Sequence, residues 1–410
     1  MASDATPRCA SMASADRQMI GDTTLVPADA PERHRLAPCA HRCWYFLAPG
    51  NRCKVAARCI CRSLPMTSLR PFPALCRLRL WLHWSLLAAM LGALCGSAGA
   101  QQTKALTFAH QDMLVPLRLV MESGELERAT GYKIHWRMFA GGGDVIRAMA
   151  SGAVQMGETG SSPLTAAASQ GQGIQLFWIS ADIANAEALV ARKDSGIARM
   201  QDLAGKKVAT PFVSTAHYQL MAGMKMDGVD PKGVNVMNMR PPEIAAAWER
   251  GDIDAAFIWD PVLSRIKEQG RVIASSGSIG QRGAPTFEGI VVNAKWAAAN
   301  EAFMIAFVKA LNRANEEYKA GGKHWAPDSP QIKAMAKWSR ADPRDVGPAM
   351  ARYYFPTLAE QVSPTWLGGG AAKAMAGTAA FLKEQGRVQE VRPDYGAYVT
   401  TVYVDKAMRQ

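Results

Sequence analysis

From residue 105 onward, short apolar runs alternate with segments whose apolar positions recur at helical spacing. ALTFA (105–109) predicts a strand. Leu117, Val120, Met121 and Leu126 lie on one face of a helix over Pro116–Arg128. YKIHWRMF (132–139) alternates and predicts a second strand. A Gly141-Gly142-Gly143-Asp144 break follows, then a helix over 145–151 and a strand over 154–157. Gly160-Ser161-Ser162-Pro163 reads as a turn before a helix over 164–170. Strands are expected at 174–179, 188–192, 208–210, 234–239 and 255–259, and helices at 215–227 and 242–250. Past Trp296 the chain reads as largely helical. Alternation at this spacing predicts an α/β fold with mostly parallel sheets.

Composition changes the picture only once the chain is divided near residue 100. The formal charge of +12 suggests a basic binding surface, yet residues 1–100 hold twelve Lys and Arg against five Asp and Glu. The remaining 310 residues hold 35 against 30, so a nucleic-acid-binding face is not expected there. All eight cysteines (Cys9, Cys39, Cys43, Cys53, Cys59, Cys61, Cys76 and Cys95) fall in the first hundred residues. A body without thiols suits an oxidising compartment.

Arg70, Arg77 and Arg79 precede an apolar run over Trp84–Cys95, and Ala98-Gly99-Ala100 follows. This is the build of a secretory signal peptide over 66–100 with cleavage after Ala100, which predicts export. The run, about a dozen residues, is short for a membrane span. Residues 1–65 would then be a non-native upstream extension and are expected to be disordered. Cys39-x3-Cys43 with His34 and His41, and Cys53-x5-Cys59-x-Cys61, lack the paired C-x2-C spacing of a zinc module, so no metal is expected.

Enzyme chemistry finds no foothold in the body. It has no cysteine, no G-x-S-x-G elbow and no H-x-x-x-H pair among His110, His135, His217 and His324. Gly141–Gly143 lacks the G-x-G-x-x-G order of a dinucleotide fingerprint, so no cofactor is expected. A sensor-type regulator with two lobes would need a DNA-binding helix pair and no export signal. What remains is a set of Ser/Thr-rich strand-to-helix junctions: Gly160-Ser161-Ser162-Pro163, Val213-Ser214-Thr215-Ala216-His217 and, more loosely, Gly141–Asp144. Taken singly, such residues cap helices. Taken together, converging helix N-termini make an anion site that needs no Arg or Lys.

Three longer stretches carry a resemblance: SGAVQMGETGSSPLTAAASQ (151–170), VATPFVSTAHYQLMAGMK (208–225) and PPEIAAAWERGDIDAAFIWDPVL (241–263). With NAEALVARK (185–193) and GAPTFEGIVVNAKW (283–296), residues 104–404 resemble the periplasmic taurine-, alkanesulfonate- and nitrate-binding proteins of ABC importers, the taurine binders above all. The resemblance implies a type II periplasmic-binding-protein (Venus flytrap) fold. Lobe 1 would comprise 101–187 plus 289–410 and lobe 2 would comprise 188–288, with crossovers near Leu189 and Val291. It implies a monomer that captures taurine and hands it to a membrane permease driven by an ATPase subunit. Another small anion, such as an alkanesulfonate or nitrate, or a thiamine precursor, is the alternative.

For such a zwitterion, Gly160, Ser161, Ser162, Thr215 and Ala216 would offer N–H and O–H donors to the sulfonate. His217 is either a further donor or a first-turn helix residue facing solvent or core. The ammonium needs a carboxylate. The candidates are Glu288, where similar taurine binders have the shorter Asp; Glu187, in a matched stretch; and Asp260, where some relatives carry an uncharged residue. Each could instead be a structural ion-pair partner. Trp259 would wall the ethylene spacer or be plain core, and Trp248 reads as core.

Overall fold

The computed structural model describes residues 104–410. The signal peptide, the upstream extension, all eight cysteines and the zinc motif lie outside the described residues. The strands are β1 (Ala105–His110), β2 (Lys133–Met138), β3 (Met156–Gly160), β4 (Ile174–Asp182), β5 (Glu187–Arg192), β6 (Lys207–Thr210), β7 (Asn235–Asn238), β8 (Ala255–Trp259), β9 (Gly270–Ser275) and β10 (Phe287–Asn293). They form two five-stranded sheets, ordered β2-β1-β3-β10-β4 and β7-β6-β8-β5-β9.

The two sheets share one plan. In each, a single strand runs antiparallel to both of its neighbours: β10 between β3 and β4, and β5 between β8 and β9. These are the strands by which the chain arrives from the other sheet. It leaves the first sheet after Asp182 and enters the second at Glu187, then leaves at Ser275 and returns at Phe287. Leu189 pairs with Phe257 and Ala274 inside the second sheet, while Val291 pairs with Gly157 and Leu176 inside the first.

In the first part of the chain the helices are α1 (Leu117–Ser123), α2 (Glu125–Thr130), α3 (Gly142–Ala150) and α4 (Ser161–Ser169). Between the two crossings come α5 (Thr215–Met226), α6 (Pro241–Arg250), α7 (Val262–Lys267) and α8 (Ser276–Gly280). After the return come α9 (Ala294–Ala299), α10 (Glu301–Gly321), α11 (Pro330–Ser339), α12 (Pro343–Met350), α13 (Leu358–Gln361), α14 (Gly370–Glu384) and α15 (Val402–Arg409). Along α10, Phe303, Phe307, Leu311, Ala314 and Tyr318 recur at helical spacing and are buried. Phe307 meets Phe108 of β1 edge-on at 5.8 Å and Phe177 of β4 at 6.2 Å, which fixes this helix on the first sheet.

Half of the strand pairings in each sheet are antiparallel, against the mostly parallel sheets expected, and two helix boundaries also differ from the sequence reading. The helix expected over Pro116–Arg128 is two helices, because Gly124 takes a left-handed φ of 59° that closes α1 and opens α2. The Gly160–Pro163 segment is no loop: β3 runs to Gly160 and α4 begins at Ser161. The helix start therefore sits at the strand's carboxyl end with no linker to displace it, where open α/β sheets bind ligands.

Candidate functional site

Two cross-strand pairs build the centre of the site. In the first sheet Glu288 lies opposite Gly160, and in the second Glu187 lies opposite Trp259. Glu187, Glu288, Gly160, Thr215 and Trp259 line one small cavity of about 10 Å³, together with Gln111, Met113, Gly142, Pro163 and Ser214. That is room for about one water molecule, so a larger ligand enters only when the walls part. Gly142, Pro163, Ser214 and Trp259 also line a wider outer cleft of about 720 Å³.

Glycine at 142 and 160 lets the walls come this close. A Cβ on Gly142 would lie 2.5 Å from Thr159 Oγ1 and 2.7 Å from Pro163. One on Gly160 would lie 2.7 Å from Thr215 Cγ2 and 3.2 Å from Glu288 Oε2. The starts of α3 and α4 carry no side-chain cap, whereas α5 is capped by Ser214, whose Oγ accepts from His217 N at 3.1 Å. Two helix starts near the cavity thus retain uncapped N–H donors at the positive end of the helix dipole. The hydroxyls of Thr159 and Ser162 are buried beside them without a partner among the described residues.

Beside these helix starts the site is acidic. Arg118, Glu158, Glu187 and Glu288 are 0, 0, 3 and 2% exposed. Arg118 Nη2 donates to Glu158 Oε2 at 2.7 Å, and Gln111 N donates to the same oxygen at 3.1 Å. Glu288 Oε1 accepts from Gln111 Nε2 at 2.8 Å. Glu187 accepts from Thr215 Oγ1 at 2.5 Å and from Ser276 Oγ at 3.2 Å. Burial pushes the Glu187 carboxyl up to about 7. Burial, with Glu158 and Glu187 nearby, pushes Glu288 well above the usual carboxylate range, while Arg118 and the Gln111 amide pull the other way.

The remaining expected residues fall elsewhere. Asp260 does not line the cavity: its Oδ1 accepts from Ser264 N and Oγ at 3.0 and 2.6 Å, and its Oδ2 pairs with Arg352 at 2.6 Å. It is a structural ion-pair partner, its charge already met by Arg352. His217 does not line the small cavity either: it is stacked on Phe212 with ring centroids 4.5 Å apart and edge-on to Phe381 at 6.0 Å. Burial and Arg387 hold it down to about 4, so it is neutral near pH 7. Ala216 is buried behind Thr215, and Ser161 Oγ accepts from Phe287 N at 3.4 Å. Trp259 is no plain core residue, since its Nε1 donates to Asp112 Oδ1 at 2.9 Å from the second sheet to the β1–α1 loop. Sequence reading missed Gln111 and Met113. Neither lies in a junction motif, and only the fold brings Gln111 against Glu288.

Among the described residues, no cluster of His, Cys, Asp and Glu is arranged to hold a metal. A family model described as NMT1/THI5 like matches residues 130–321. The taurine-binding periplasmic protein of Escherichia coli (strain K12) is 38% identical over 315 residues, covering 77% of this chain and 97% of that protein. The chain belongs to the sulfonate- and taurine-type periplasmic substrate-binding proteins of ABC importers. This is a family of binding proteins, not of enzymes. A putative aliphatic sulfonates-binding protein of Bacillus subtilis (strain 168) is a further relative, 28% identical over 228 residues, covering 54% of this chain and 68% of that protein. Among solved structures, the alkanesulfonate-binding protein of Xanthomonas axonopodis pv. citri bound to MOPS superposes with a TM-score of 0.60. It is 22% identical, covers 72% of this chain and 98% of that chain, and shares the type II periplasmic-binding-protein fold.

Proposed function

We propose that this protein captures taurine between two lobes, with the ammonium between Glu187 and Glu288 and the sulfonate against the starts of α3, α4 and α5. The observation that carries this reading is the pair of carboxylates, one from each inter-sheet strand, aimed at one buried cavity with only neutral donors on them. Burying such charges costs several kcal/mol unless a cation joins them. Nitrate and simple sulfonates offer none, whereas taurine does. Gly160 and the uncapped helix starts supply donors suited to a spread anion, and Trp259 walls the ethylene spacer. The identity with the E. coli protein supports the same ligand.

The two lobes divide near residues 187 and 288, so a ligand held by both carboxylates favours the closed form. In this reading the protein is exported by its signal peptide, cleaved after Ala100, and works as a monomer. The closed form then docks on a permease whose ATPase subunit drives import. Calorimetric titration of the purified protein with taurine, ethanesulfonate and nitrate tests the reading. Taurine is expected to bind well ahead of ethanesulfonate, and nitrate weakest. Equal binding of the two sulfonates would remove the ammonium contact.

A further inference from the structure

Three buried carboxylates surround the ammonium end of the site, and one buried guanidinium accompanies them. Arg118 is committed to Glu158 and to the carbonyls of Met113 and Gln111. Glu187 and Glu288 have only hydroxyl and amide donors. Glu288 Oε2 makes no hydrogen bond among the described residues and lies beside the Gly160 backbone at the cavity wall. Among the described residues, no other positive charge reaches them. Tyr353, the buried neighbour that feels both carboxylates, is neutral, and Arg352 beyond it is taken by Asp260. On the Arg118 side, burial pushes the Asp112 carboxyl, held by Trp259 Nε1, up to about 6, and burial with Arg118 presses His110 down to about 4, so neither brings a cation. Two uncompensated negative charges cannot share so dry a site without a large cost.

We propose that the cage formed by Glu187 and Glu288 exchanges a proton for the ligand's ammonium, so that pH sets which sulfonates the protein accepts. This rests on the reading above that places the ammonium between these two carboxylates. Without ligand, the pair holds one proton. When the zwitterion enters, that proton leaves to solvent and the ammonium takes its place, so the charge of the cage is unchanged. A sulfonate of the same size with an uncharged tail enters without expelling the proton, because the protonated pair is already compensated. The protonated cage therefore takes simple alkanesulfonates as a second ligand class, and the deprotonated cage refuses them. The raised proton affinity of both carboxylates agrees with this.

The test is titration calorimetry of the purified protein with taurine and with ethanesulfonate, from pH 5.5 to 8, in pairs of buffers with different ionisation enthalpies. Taurine is expected to release about one proton near neutral pH, and ethanesulfonate none. The ratio of the two affinities is expected to rise by up to about tenfold per pH unit. In a parallel infrared measurement, the carbonyl stretch of a protonated carboxylic acid should be present without ligand and vanish with taurine. Glu288→Gln should reduce the proton release. Tight taurine binding with no proton release and a flat ratio overturns the exchange while leaving the taurine reading intact. Failure to prefer taurine at any pH overturns the ammonium contact, and the exchange falls with it.

Discussion

At the scale of single residues, the site is decided by what each carboxylate already touches. Asp260, Glu187 and Glu288 are alike on paper. Asp260 is consumed by Ser264 and Arg352, whereas Glu288 keeps one oxygen beside the cavity. Glu288→Ala should therefore weaken taurine binding by about 3 kcal/mol, roughly a hundredfold, with the thermal midpoint little changed. Calorimetry and a melting curve on one sample check both halves. An unchanged affinity would take Glu288 out of the ammonium role.

Glu187 makes a prediction of opposite flavour. Its carboxyl is raised to about 7 in the folded protein, from an ordinary 4.5. Between those values the folded state binds more protons than the unfolded one, so stability falls as pH rises through the window and levels off above it. The loss is about 3 kcal/mol for a shift of this size. Denaturant unfolding of the ligand-free protein at pH 5 and pH 8 should show the decline, and Glu187→Gln should reduce it, leaving the part that Glu288 carries. Taurine should restore the wild-type stability at pH 8.

At the scale of elements, the alternation of strand and helix was legible because most strands are buried on both faces and the helices carry apolar stripes. β9 was not read, since GRVIAS sits at a sheet edge and lacks a buried face. The Ser/Thr-rich junctions pointed to helix starts, and the structure brings Gly142, Gly160, Ser214 and Thr215 to one cavity. What stayed hidden depends on partners far away in sequence. His217 reads as a donor until Phe381 and Arg387 arrive from the α14 region to bury it, and Asp260 reads as free until Arg352 does. Gln111 has no local signal at all.

The close approach of α3 to β3 gives the test at this scale. Gly142→Ala would press a methyl group into Thr159 and Pro163. The start of α3 must then move off the cavity. A loss of roughly tenfold or more in taurine affinity is expected, together with about 1–3 kcal/mol of stability. Glycine at 141 has nothing within 4 Å of its Cβ position, so Gly141→Ala is the control.

At the scale of the whole molecule, several contacts run between the elements of one sheet and those of the other. Trp259 of β8 donates to Asp112 after β1, and Tyr218 of α5 packs on Phe381 of α14 with centroids 5.0 Å apart. Lys225 and Glu384 pair at 3.0 Å on the exposed rim, where an ion pair contributes little. The indole contact is the one beside the small cavity. Trp259→Phe removes the donor and leaves the Asp112 carboxylate without it, at a cost of about 1–3 kcal/mol to the closed form. Stopped-flow measurement should find taurine leaving roughly tenfold faster, with its arrival less affected. An unchanged exit rate would mean that the contact does not hold the lobes shut.

The position of β10 carries one more consequence. It is the central partner of β3 and β4, yet it is made more than a hundred residues after either. While the chain is being synthesised, β1, β2 and β3 can pair, but β4 has no place to attach until Asn293 has emerged. The first sheet is therefore a half-finished seam until the whole second sheet has been produced. Such long-range closure slows folding. The nascent chain thus stays in an open, threadable condition until most of it exists, a delay that suits the export proposed above.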